Sequence, residues 1–581
     1  MIRIPNKDKK FIVDNFSTSY SRGNLYSTWN IMFDADIGRI KLNPYITPVI
    51  TNDTEGTTDL GNVDAMVTAL KSGSSTEYDV YALSTKSVGD GGVFSTGTAT
   101  RLTGSDAPDT PRPNASDMCL YRGANFSDYL YVCDLDGLHY IDPGSSAGDW
   151  TLIATNANWK NHYILEPFPF LNRLYMTNGN GIFSIDGDYT MATSGANTLT
   201  NIRDITSIKA SSDKLWISTS PPNSQFYNTG GNARIYEWDG VSPNPTATHV
   251  LDTQIIFSMV ILDDIPYAVD GKGRLWKYNG YTFVIVDQIP YREDTTNNVT
   301  IRIHRNGLLA DKNKIYMLVG SASSLANPTE RALSGIWCYD PNIGLYHYSS
   351  PMNTSLINRD NVGAMTTGGI ENTFYCGLSY YPTTLSTIKN AIGATLKDDT
   401  TARIGHITTQ FIESNNIDDI YNSIIVKYRK MFSSANSIEV KYRTSKGVEC
   451  NTQATWTAAT TFTVTTTSIT NIPTPVSVGD EVQVLSGANA GQIANIVSIT
   501  PSGSNSIIAL DRSSTLTSGT ARIQINNYRL IETITYDNVT QFKKIALGQN
   551  TTQLQVRLVI RGIGYYDEVQ EIMIPEKANE S

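Results

Sequence analysis

The sequence of 581 residues predicts an all-β fold: a β-propeller of six or seven blades, followed by an antiparallel β-sandwich that carries an inserted small SH3-like barrel. Three observations predict it. Charged residues make up only 17% of the chain and tyrosines number 32, a composition that favours short strands and tight turns over helices. A short aromatic motif recurs through the middle of the chain. After about residue 400, longer strands of alternating apolar and polar residues replace it.

The recurring motif is an apolar residue, an aromatic residue and then two small or apolar residues. Its aromatic positions, 41 to 59 residues apart, are Tyr81, Tyr131, Tyr175, Trp216, Tyr267, Tyr316 and Tyr375. A second motif, which ends in Asp or Asn, follows at 138–142, 182–186, 235–239, 275–279 and 336–340. A strand–turn–strand unit of this size cannot bury its own apolar face, whereas a ring of such units buries all of them. The alternative is a string of unrelated hairpins in two sandwiches, but the fixed order of the two motifs favours the propeller.

The domain boundaries follow from these patterns. Residues 1–60 are predicted to form an entry segment that closes the propeller by pairing with its last blade, and residues 61–400 the propeller itself. Residues 401–451 and 523–581 are predicted to form the sandwich. The threonine-rich stretch 452–522 has the strand and glycine-turn pattern of a small barrel, inserted at a loop of the sandwich.

Composition and motifs argue against catalysis. The five cysteines are widely spaced, which predicts free thiols, and the six histidines have no metal-ligand spacing, so neither a metal site nor a cofactor is expected. Carboxylates near strand ends could converge as a glycosidase pair, and they are Asp186, Asp188, Asp239, Asp263, Asp264 and Asp340. Their recurrence from blade to blade is better explained by turn capping. The sequence therefore predicts no enzyme and no catalytic residues.

One basic cluster is a candidate contact surface. Its residues lie on two alternating strands and are Lys427, Arg429, Lys430, Lys441, Arg443 and Lys446. Paired as a hairpin, the strands would present a basic stripe to an acidic partner subunit or to DNA phosphates. The alternative is a solvated outer face without a partner. The rest of the chain is acidic, with a formal net charge of −10, and is a poor candidate for wrapping nucleic acid.

The opening segment 23–30, the strand region 34–42 and the glycine-containing barrel segment 478–499 carry a resemblance. Together with the order of propeller and sandwich, they are similar to tail nozzle and DNA-stabilisation proteins of short-tailed bacteriophages. The resemblance implies a homo-oligomeric ring, often of six copies, below the portal and adaptor and beside other tail proteins. Such a ring retains packaged double-stranded DNA and forms part of the ejection channel.

The same resemblance implies a virion protein of the tail, synthesised in the host cytoplasm. Consistent with this, no apolar run reaches the roughly 20 residues that span a bilayer, so no membrane span is expected. Two other functions stay open. One is a carbohydrate-binding or glycan-hydrolysing propeller in a tail receptor-binding protein. The other is a cellular protein–protein scaffold.

Overall fold

The structure is a computed structural model. It describes residues 2–3, 25–29, 31–34, 39–50, 60–71, 77–85, 92–96, 100–102, 107–108, 116–122, 128–134, 137–143, 150–154, 164–178, 181–186, 197–198, 204–221, 231–289, 301–321, 334–342, 344–351, 355–356, 362–368, 373–380, 389–395, 403–409, 412–413, 419–428, 434–444, 450–471, 475–484, 491–513, 518–535, 542–551, 553–562, 568–574 and 576–578.

The first strands are β1 (Ile2–Arg3), β2 (Leu25–Trp29), β3 (Ile31–Asp34), β4 (Arg39–Leu42) and β5 (Thr47–Ile50). The middle of the chain contains β6 (Asn62–Leu70), β7 (Tyr78–Thr85), β8 (Gly92–Ser95), β9 (Thr100–Arg101), β10 (Asp117–Arg122), β11 (Asp128–Cys133), β12 (Leu138–Ile141), β13 (Thr151–Ala154), β14 (Leu165–Phe168), β15 (Arg173–Asn178), β16 (Gly181–Asp186), β17 (Asn197–Thr198), β18 (Asp204–Ala210), β19 (Leu215–Ser220), β20 (Arg234–Trp238), β21 (Ala247–Val250), β22 (Ile256–Leu262), β23 (Ile265–Asp270), β24 (Arg274–Tyr278), β25 (Phe283–Gln288), β26 (Arg302–Asp311), β27 (Lys314–Gly320), β28 (Gly335–Asp340), β29 (Gly344–Ser349), β30 (Ser355–Leu356), β31 (Met365–Thr367), β32 (Phe374–Tyr380) and β33 (Lys389–Ala394). The last strands are β34 (Arg403–Thr409), β35 (Ile412–Glu413), β36 (Asp419–Tyr428), β37 (Ser437–Arg443), β38 (Cys450–Ala458), β39 (Thr461–Thr465), β40 (Glu481–Val484), β41 (Ile493–Ser502), β42 (Asn505–Leu510), β43 (Gly519–Asn526), β44 (Arg529–Thr535), β45 (Phe542–Thr551), β46 (Gln553–Gly562), β47 (Glu568–Ile574) and β48 (Glu576–Ala578). A single 3₁₀ turn, Pro169–Leu171, and one short helix, α1 (Thr466–Thr470), complete the described elements.

The chain divides into two compact units. The propeller unit consists of Ile46–Ser321 and Thr354–Leu396, and the sandwich–barrel unit of Met1–Tyr45, Ala322–Asn353 and Lys397–Ser581. Residues 322–353 are grouped with the sandwich, and the domain boundaries drawn from the sequence stay a prediction. The predicted all-β, propeller-containing fold is confirmed.

The propeller unit is a ring of seven antiparallel repeats. Five of them are four-stranded sheets in chain order, from β6–β9 to β22–β25; the sixth contributes the hairpin of β26 and β27, and the seventh combines β30 to β33 with β5. The innermost strands are neighbours in a closed circuit that runs β6, β10, β14, β18, β22, β26, β31 and back to β6. Near the start of the chain, β5 closes the seventh sheet by pairing with β33, where Ile50 lies opposite Ile392.

The seven aromatic residues of the recurring motif all lie on the second strand of their repeat. They are Tyr81 in β7, Tyr131 in β11, Tyr175 in β15, Trp216 in β19, Tyr267 in β23, Tyr316 in β27 and Tyr375 in β32. Six are buried and Tyr375 is half-buried. The motif therefore marks one equivalent position of each repeat.

Each second strand is buried on both faces, because a blade packs against the blade before it and the blade after it. In β11, Tyr131 packs with Leu174 and Met176 of the third repeat. Its neighbours Leu130 and Val132 belong instead to a cluster shared with the first repeat. The core of a propeller is thus divided into wedges between neighbouring blades, and the motif aromatics occupy separate wedges. Burial on both faces also explains why these strands read as continuous apolar runs.

The sandwich–barrel unit contains two antiparallel sheets and a closed barrel. One sheet has the order β3-β4-β47-β36-β45, with β1 and β48 added to its strands, and the other has the order β2-β34-β46-β37-β44, with β35 added. The hairpin of β28 and β29 belongs to the same unit. The barrel closes through β38-β39-β42-β41-β40-β43. Its apolar interior includes Trp456, Phe462, Val482, Ile508 and Ile523.

Candidate functional site

All seven repeats meet at the axis of the propeller, where the sixth repeat contributes an irregular polar segment. In β26, Ile303 pairs with Val319 and Leu308 pairs with Met317, so residues 304–307 leave the ladder between these two pairs. This excursion, which we call the axial bulge, interrupts an otherwise apolar strand with His304, Arg305, Asn306 and Gly307. A bulge bends its strand and redirects side chains away from the sheet.

The axial bulge reaches across the ring to distant repeats. Asn306 Nδ2 donates to the carbonyl oxygen of Asp64 at 2.9 Å and to Oδ1 of Asp117 at 2.7 Å. Arg305 donates to the carbonyl oxygen of Ser116. The bulge belongs to the sixth repeat, whereas Asp64 lies in the first and Asp117 in the second. Contacts of this reach place the bulge over the middle of the ring, so protein fills the axis at this level.

The polar groups at the axis are occupied by structural contacts. Asp117 is buried, and it also accepts from the backbone N–H of Met118 at 2.9 Å and of Leu165 at 2.8 Å. The Asp64 carboxylate is buried with His304, whose Nε2 lies 3.6 Å away. The sixth repeat is thus linked to the first two by a polar network, in which Asp64 and Asp117 are buried and Arg305 and Asn306 are half-buried.

The strand-end aspartates act as turn acceptors where the structure describes their side chains. Asp239 accepts from the hydroxyl of Ser242 and from the backbone N–H of Ser242, the latter at 2.7 Å. These two hydrogen bonds, mainly the one from the hydroxyl, hold the pKa of Asp239 below its ordinary value. Asp264 accepts from the N–H and the hydroxyl of Ser212, at 2.6 and 2.7 Å. Asp340 accepts from the N–H of Asn342 at 2.8 Å.

The remaining strand-end aspartates either form a tight turn or lie outside the described residues. Asp263 and Asp264 have φ angles of 50° and 64°, so they form the tight turn between β22 and β23. Asp186 ends β16, but its side chain lies outside the described residues, as does the whole of Asp188. The described carboxylates therefore bind turn residues, in the case of Asp264 those of the neighbouring repeat, and are not brought together as a pair.

The predicted basic stripe needs correction in its geometry. β36, which carries Lys427, pairs with β45, β47 and β48 in one sheet. β37, which carries Lys441 and Arg443, pairs with β44 and β46 in the other sheet. The two strands therefore do not form a hairpin, and their basic residues do not form one stripe.

Lys441 and Arg443 are also not surface residues. Both are buried, because the barrel covers the polar face of β37. Lys441 Nζ lies 2.7 Å from a carboxylate oxygen of Glu481 in β40. The Arg443 guanidinium donates to Gln555 Oε1 at 2.5 Å and lies 4.5 Å from the ring centre of Tyr528. Neither cation is available to DNA or to a partner subunit. The side chain of Lys427 lies outside the described residues, as do Arg429, Lys430 and Lys446 altogether.

A buried ionic network, which we call the junction network, joins the barrel to the sandwich. Glu481 pairs with Lys441 and with Arg557 of β46, and all three side chains are almost fully buried. Burial alone would raise the pKa of Glu481, but Arg557 and Lys441 outweigh it and lower this pKa to about 2. Burial likewise opposes ionisation of Glu439, yet Arg561 and Lys441 hold its pKa below the ordinary value. Both carboxylates are therefore ionised at neutral pH.

Most of the few charges of the barrel are committed to this junction. Residues 450–526 contain only five charged residues: Asp480, Glu481, Asp511, Arg512 and Arg522. Three of them form ion pairs with the sandwich, Asp480 with Arg529, Glu481 with Lys441 and Arg557, and Arg512 with Glu439. The sequence contains these residues but gives no sign that partners 40 to 120 positions apart meet in one buried cluster.

The cysteines and histidines have structural environments. All five cysteines are buried free thiols, and burial raises the pKa of Cys376 to about 12, which makes this thiol a poor nucleophile. His347 Nε2 donates to the carbonyl oxygen of Ser334 at 3.1 Å, and burial lowers the pKa of His347 to about 4. Within the part of the chain that the structure describes, no three metal-ligating side chains form a cluster.

Comparison with known proteins adds one local match. Residues 478–508 match the KOW motif family, and this segment spans β40, β41 and most of β42 of the barrel. No curated protein sequence matches the chain. Among the described residues, no helix is long and apolar enough to cross a membrane.

The chain is also similar to solved structures, at low sequence identity and with TM-scores under 0.5. The chain is similar to Raptor of Chaetomium thermophilum at 10% identity with a TM-score of 0.41, over 61% of this chain and 30% of the Raptor chain. It is similar to the β-propeller domain of Cps50 (Swd1) of Myceliophteria thermophila at 9% identity with a TM-score of 0.34, over 57% of this chain and 99% of that domain. A third similar structure is the Dos1 propeller, at 9% identity with a TM-score of 0.35, over 67% and 95% of the two chains. The chain therefore spans under a third of the length of Raptor.

Proposed function

We propose that this protein is a structural, non-enzymatic component of a virion, a subunit of the tail nozzle or hub ring of a short-tailed bacteriophage. Copies of the chain would form a closed ring, of six by the resemblance noted above, beside the portal, adaptor and other tail proteins. The ring would retain packaged DNA and form part of the channel through which the DNA leaves. The observation that carries the proposal is the filled axis of the propeller.

A propeller whose axis is crossed by its own side chains has neither an open pore nor a deep axial pocket at that level. Arg305 and Asn306 hold the axial bulge against the first and second repeats. Duplex DNA could therefore pass only through a channel formed between copies of the chain. Each propeller would then serve as a rigid wall element of that channel.

The charge distribution supports passage of DNA rather than capture. The chain has a formal net charge of −10, and three of the cations among the described residues, Lys441, Arg443 and Arg557, point into the protein interior. Proteins that hold DNA do so mainly by neutralising phosphates with exposed Lys and Arg. A channel wall without such contacts lets the duplex slide. The barrel fits the same role, because only two of its 77 residues, Arg512 and Arg522, are cationic.

Electron cryo-microscopy of the purified chain over a range of concentrations tests the proposal. We expect a closed ring with a central opening wide enough for duplex DNA, since head-to-tail contacts that close generate such rings. The double variant Arg305→Ala/Asn306→Ala is a matched control for the DNA path. It opens the axis of each propeller, yet it should leave ring formation and DNA ejection unchanged. A chain that stays monomeric at all concentrations, or ejection that depends on the axial bulge, would contradict the proposal.

One binding measurement and one activity assay separate the proposal from its alternatives. Binding to free duplex DNA should be weak and should fall steeply with added salt. Tight, salt-resistant DNA binding by the monomer would contradict a passive channel wall. Glycan cleavage by the wild type, abolished by Asp239→Asn, would instead establish a hydrolytic receptor-binding protein.

A further inference from the structure

The junction of barrel and sandwich contains a cleft that the proposed function does not use. The cleft has a volume of about 350 Å³ and opens between β34 of the sandwich and the barrel strands β38, β40, β41 and β42. Its apolar walls include Ile404, Trp456, Val482 and Leu510, and its polar side is formed by Arg512 and Arg561. A volume of this size is at the lower end of small-ligand pockets.

The polar side of the cleft carries an excess of positive charge. Arg512 and Arg561 share one carboxylate, because both donate to Oε1 of Glu439. Lys441 lies 3.6 Å from the same carboxylate and 2.7 Å from Glu481, which also pairs with Arg557. This cluster thus contains four cations and two carboxylates, a formal excess of two positive charges. Cations that are partly removed from water attract an anion more strongly than exposed ones.

The two arginines differ in their access to solvent. The Arg561 side chain is 12% exposed, whereas the Arg512 side chain is 42% exposed and stands at the mouth of the cleft. Arg512 can therefore turn its planar guanidinium towards a ligand without opening the core. Guanidinium groups match the geometry of carboxylates through paired hydrogen bonds.

The apolar wall contains an unsatisfied donor. Trp456 is buried against Phe462, with ring centres 4.9 Å apart, and its indole Nε1 has no acceptor among the described residues. Buried polar groups of folded proteins are rarely left without a partner. A ligand that brings an oxygen atom to this wall would supply the acceptor.

We propose that this cleft binds an organic carboxylate whose apolar body is about the size of one aromatic side chain. The carboxylate pairs with Arg512 and the accessible edge of Arg561, one of its oxygen atoms accepts from the indole N–H of Trp456, and the apolar body packs on Val482 and Leu510. The group can be a free organic acid or an acidic residue beside an aromatic one in a neighbouring protein. The chemistry recognised is the same in both cases.

Calorimetric titration of the full chain with phenylacetate tests this inference. Phenylacetate should bind, while the uncharged 2-phenylethanol and the small anion acetate should bind at least roughly tenfold more weakly, because each lacks one half of the ligand. Acetylated phenylalanyl-aspartate amide distinguishes the sources. Tighter binding of this peptide assigns the cleft to a protein neighbour, and tighter binding of phenylacetate assigns it to free acids.

Two variants and one control locate the binding. Arg512→Gln should weaken phenylacetate binding roughly tenfold or more, and it should fold, because Glu439 keeps Arg561 and Lys441. Ala494→Leu, which fills the cleft without changing charge, should also abolish binding. Arg522→Gln alters the other arginine of the barrel, which is exposed on β43 outside the cleft, and should bind like the wild type. Equal affinity of the Arg512 and Arg522 variants would overturn the inference, as would the absence of phenylacetate binding up to roughly 10 mM.

Discussion

Replacement of Glu481 by Ala tests the buried link between the barrel and the sandwich. The Glu481 side chain is fully buried and is the shared partner of Lys441 and Arg557, which are 0% and 4% exposed. Removing the carboxylate leaves two cations in the protein interior without their closest counter-charge. Glu439 lies 3.6 Å from Lys441 and cannot compensate fully, since Arg512 and Arg561 already share it.

The expected loss is large. Breaking a buried ion pair by removing one partner costs about 3–5 kcal/mol, because the other charge stays buried without compensation. The double variant Glu481→Gln/Lys441→Met removes charge from both sides and should recover part of this loss. Glu532→Gln is the matched control in the same unit, because its pair with Lys543 is 3.2 Å long and both side chains are over a third exposed. Such surface pairs contribute about 0–1 kcal/mol.

Hydrogen exchange followed by mass spectrometry is the suitable measurement, since a chain of two units does not unfold in a single two-state step. In Glu481→Ala, amides of β37, β40 and β46 should exchange roughly two to three and a half orders of magnitude faster, which is the rate equivalent of 3–5 kcal/mol. The propeller strands should be unchanged. If exchange in these three strands shifts no more than in Glu532→Gln, the junction network does not stabilise the unit and the reasoning is wrong.

Three further predictions concern single side chains. Trp216→Ala should destabilise the propeller by about 3–5 kcal/mol, measured by hydrogen exchange in β19 and β23, because this buried indole fills the wedge between the fourth and fifth repeats. Lowering the pH from 7 to 5 should destabilise the sandwich–barrel unit by about 2 kcal/mol through His347. The pKa of His347 is about 4 in the folded protein and lies below its value in the unfolded chain, so the unfolded chain binds the proton first as the pH falls. His347→Gln should make the stability of this unit less dependent on pH between pH 6.5 and 4. Asp264→Ala should cost about 1–2 kcal/mol in thermal unfolding, because it loses two bonds to Ser212 and alanine tolerates the φ of 64° poorly, while Asp264→Asn should cost less than half as much.

The propeller could be predicted from the sequence because its signal is local and repeated. Each aromatic of the motif, such as Tyr131 or Tyr175, sits in the same strand of its repeat and faces the next blade. Because every blade packs against its neighbours in the same way, similar residues recur at the equivalent position of each blade.

The junction network could not be predicted, because a strand of alternating polar and apolar residues can have its polar face either in solvent or covered by another domain. In β37, Glu439, Lys441 and Arg443 alternate with apolar residues, which normally indicates a sheet with one wet face. Here the polar face is covered by the inserted barrel, and the charges are paired across it. The axial bulge has a weak signature in the sequence, because the polar residues 304–307 interrupt a strand that is otherwise mostly apolar.

The inward direction of these cations bears on how a ring of such chains would hold DNA. The junction cluster contains a formal excess of two positive charges, of which only Arg512 is substantially exposed, so the remainder of the chain is more negative than the formal −10. A wall of that sign repels phosphates, but at physiological ionic strength the repulsion decays within a Debye length of about 8 Å. It can keep the duplex away from the wall without opposing its movement along the channel. Retention of DNA would then depend on closure of the channel below the ring rather than on attraction to its wall, and added salt should change retention little.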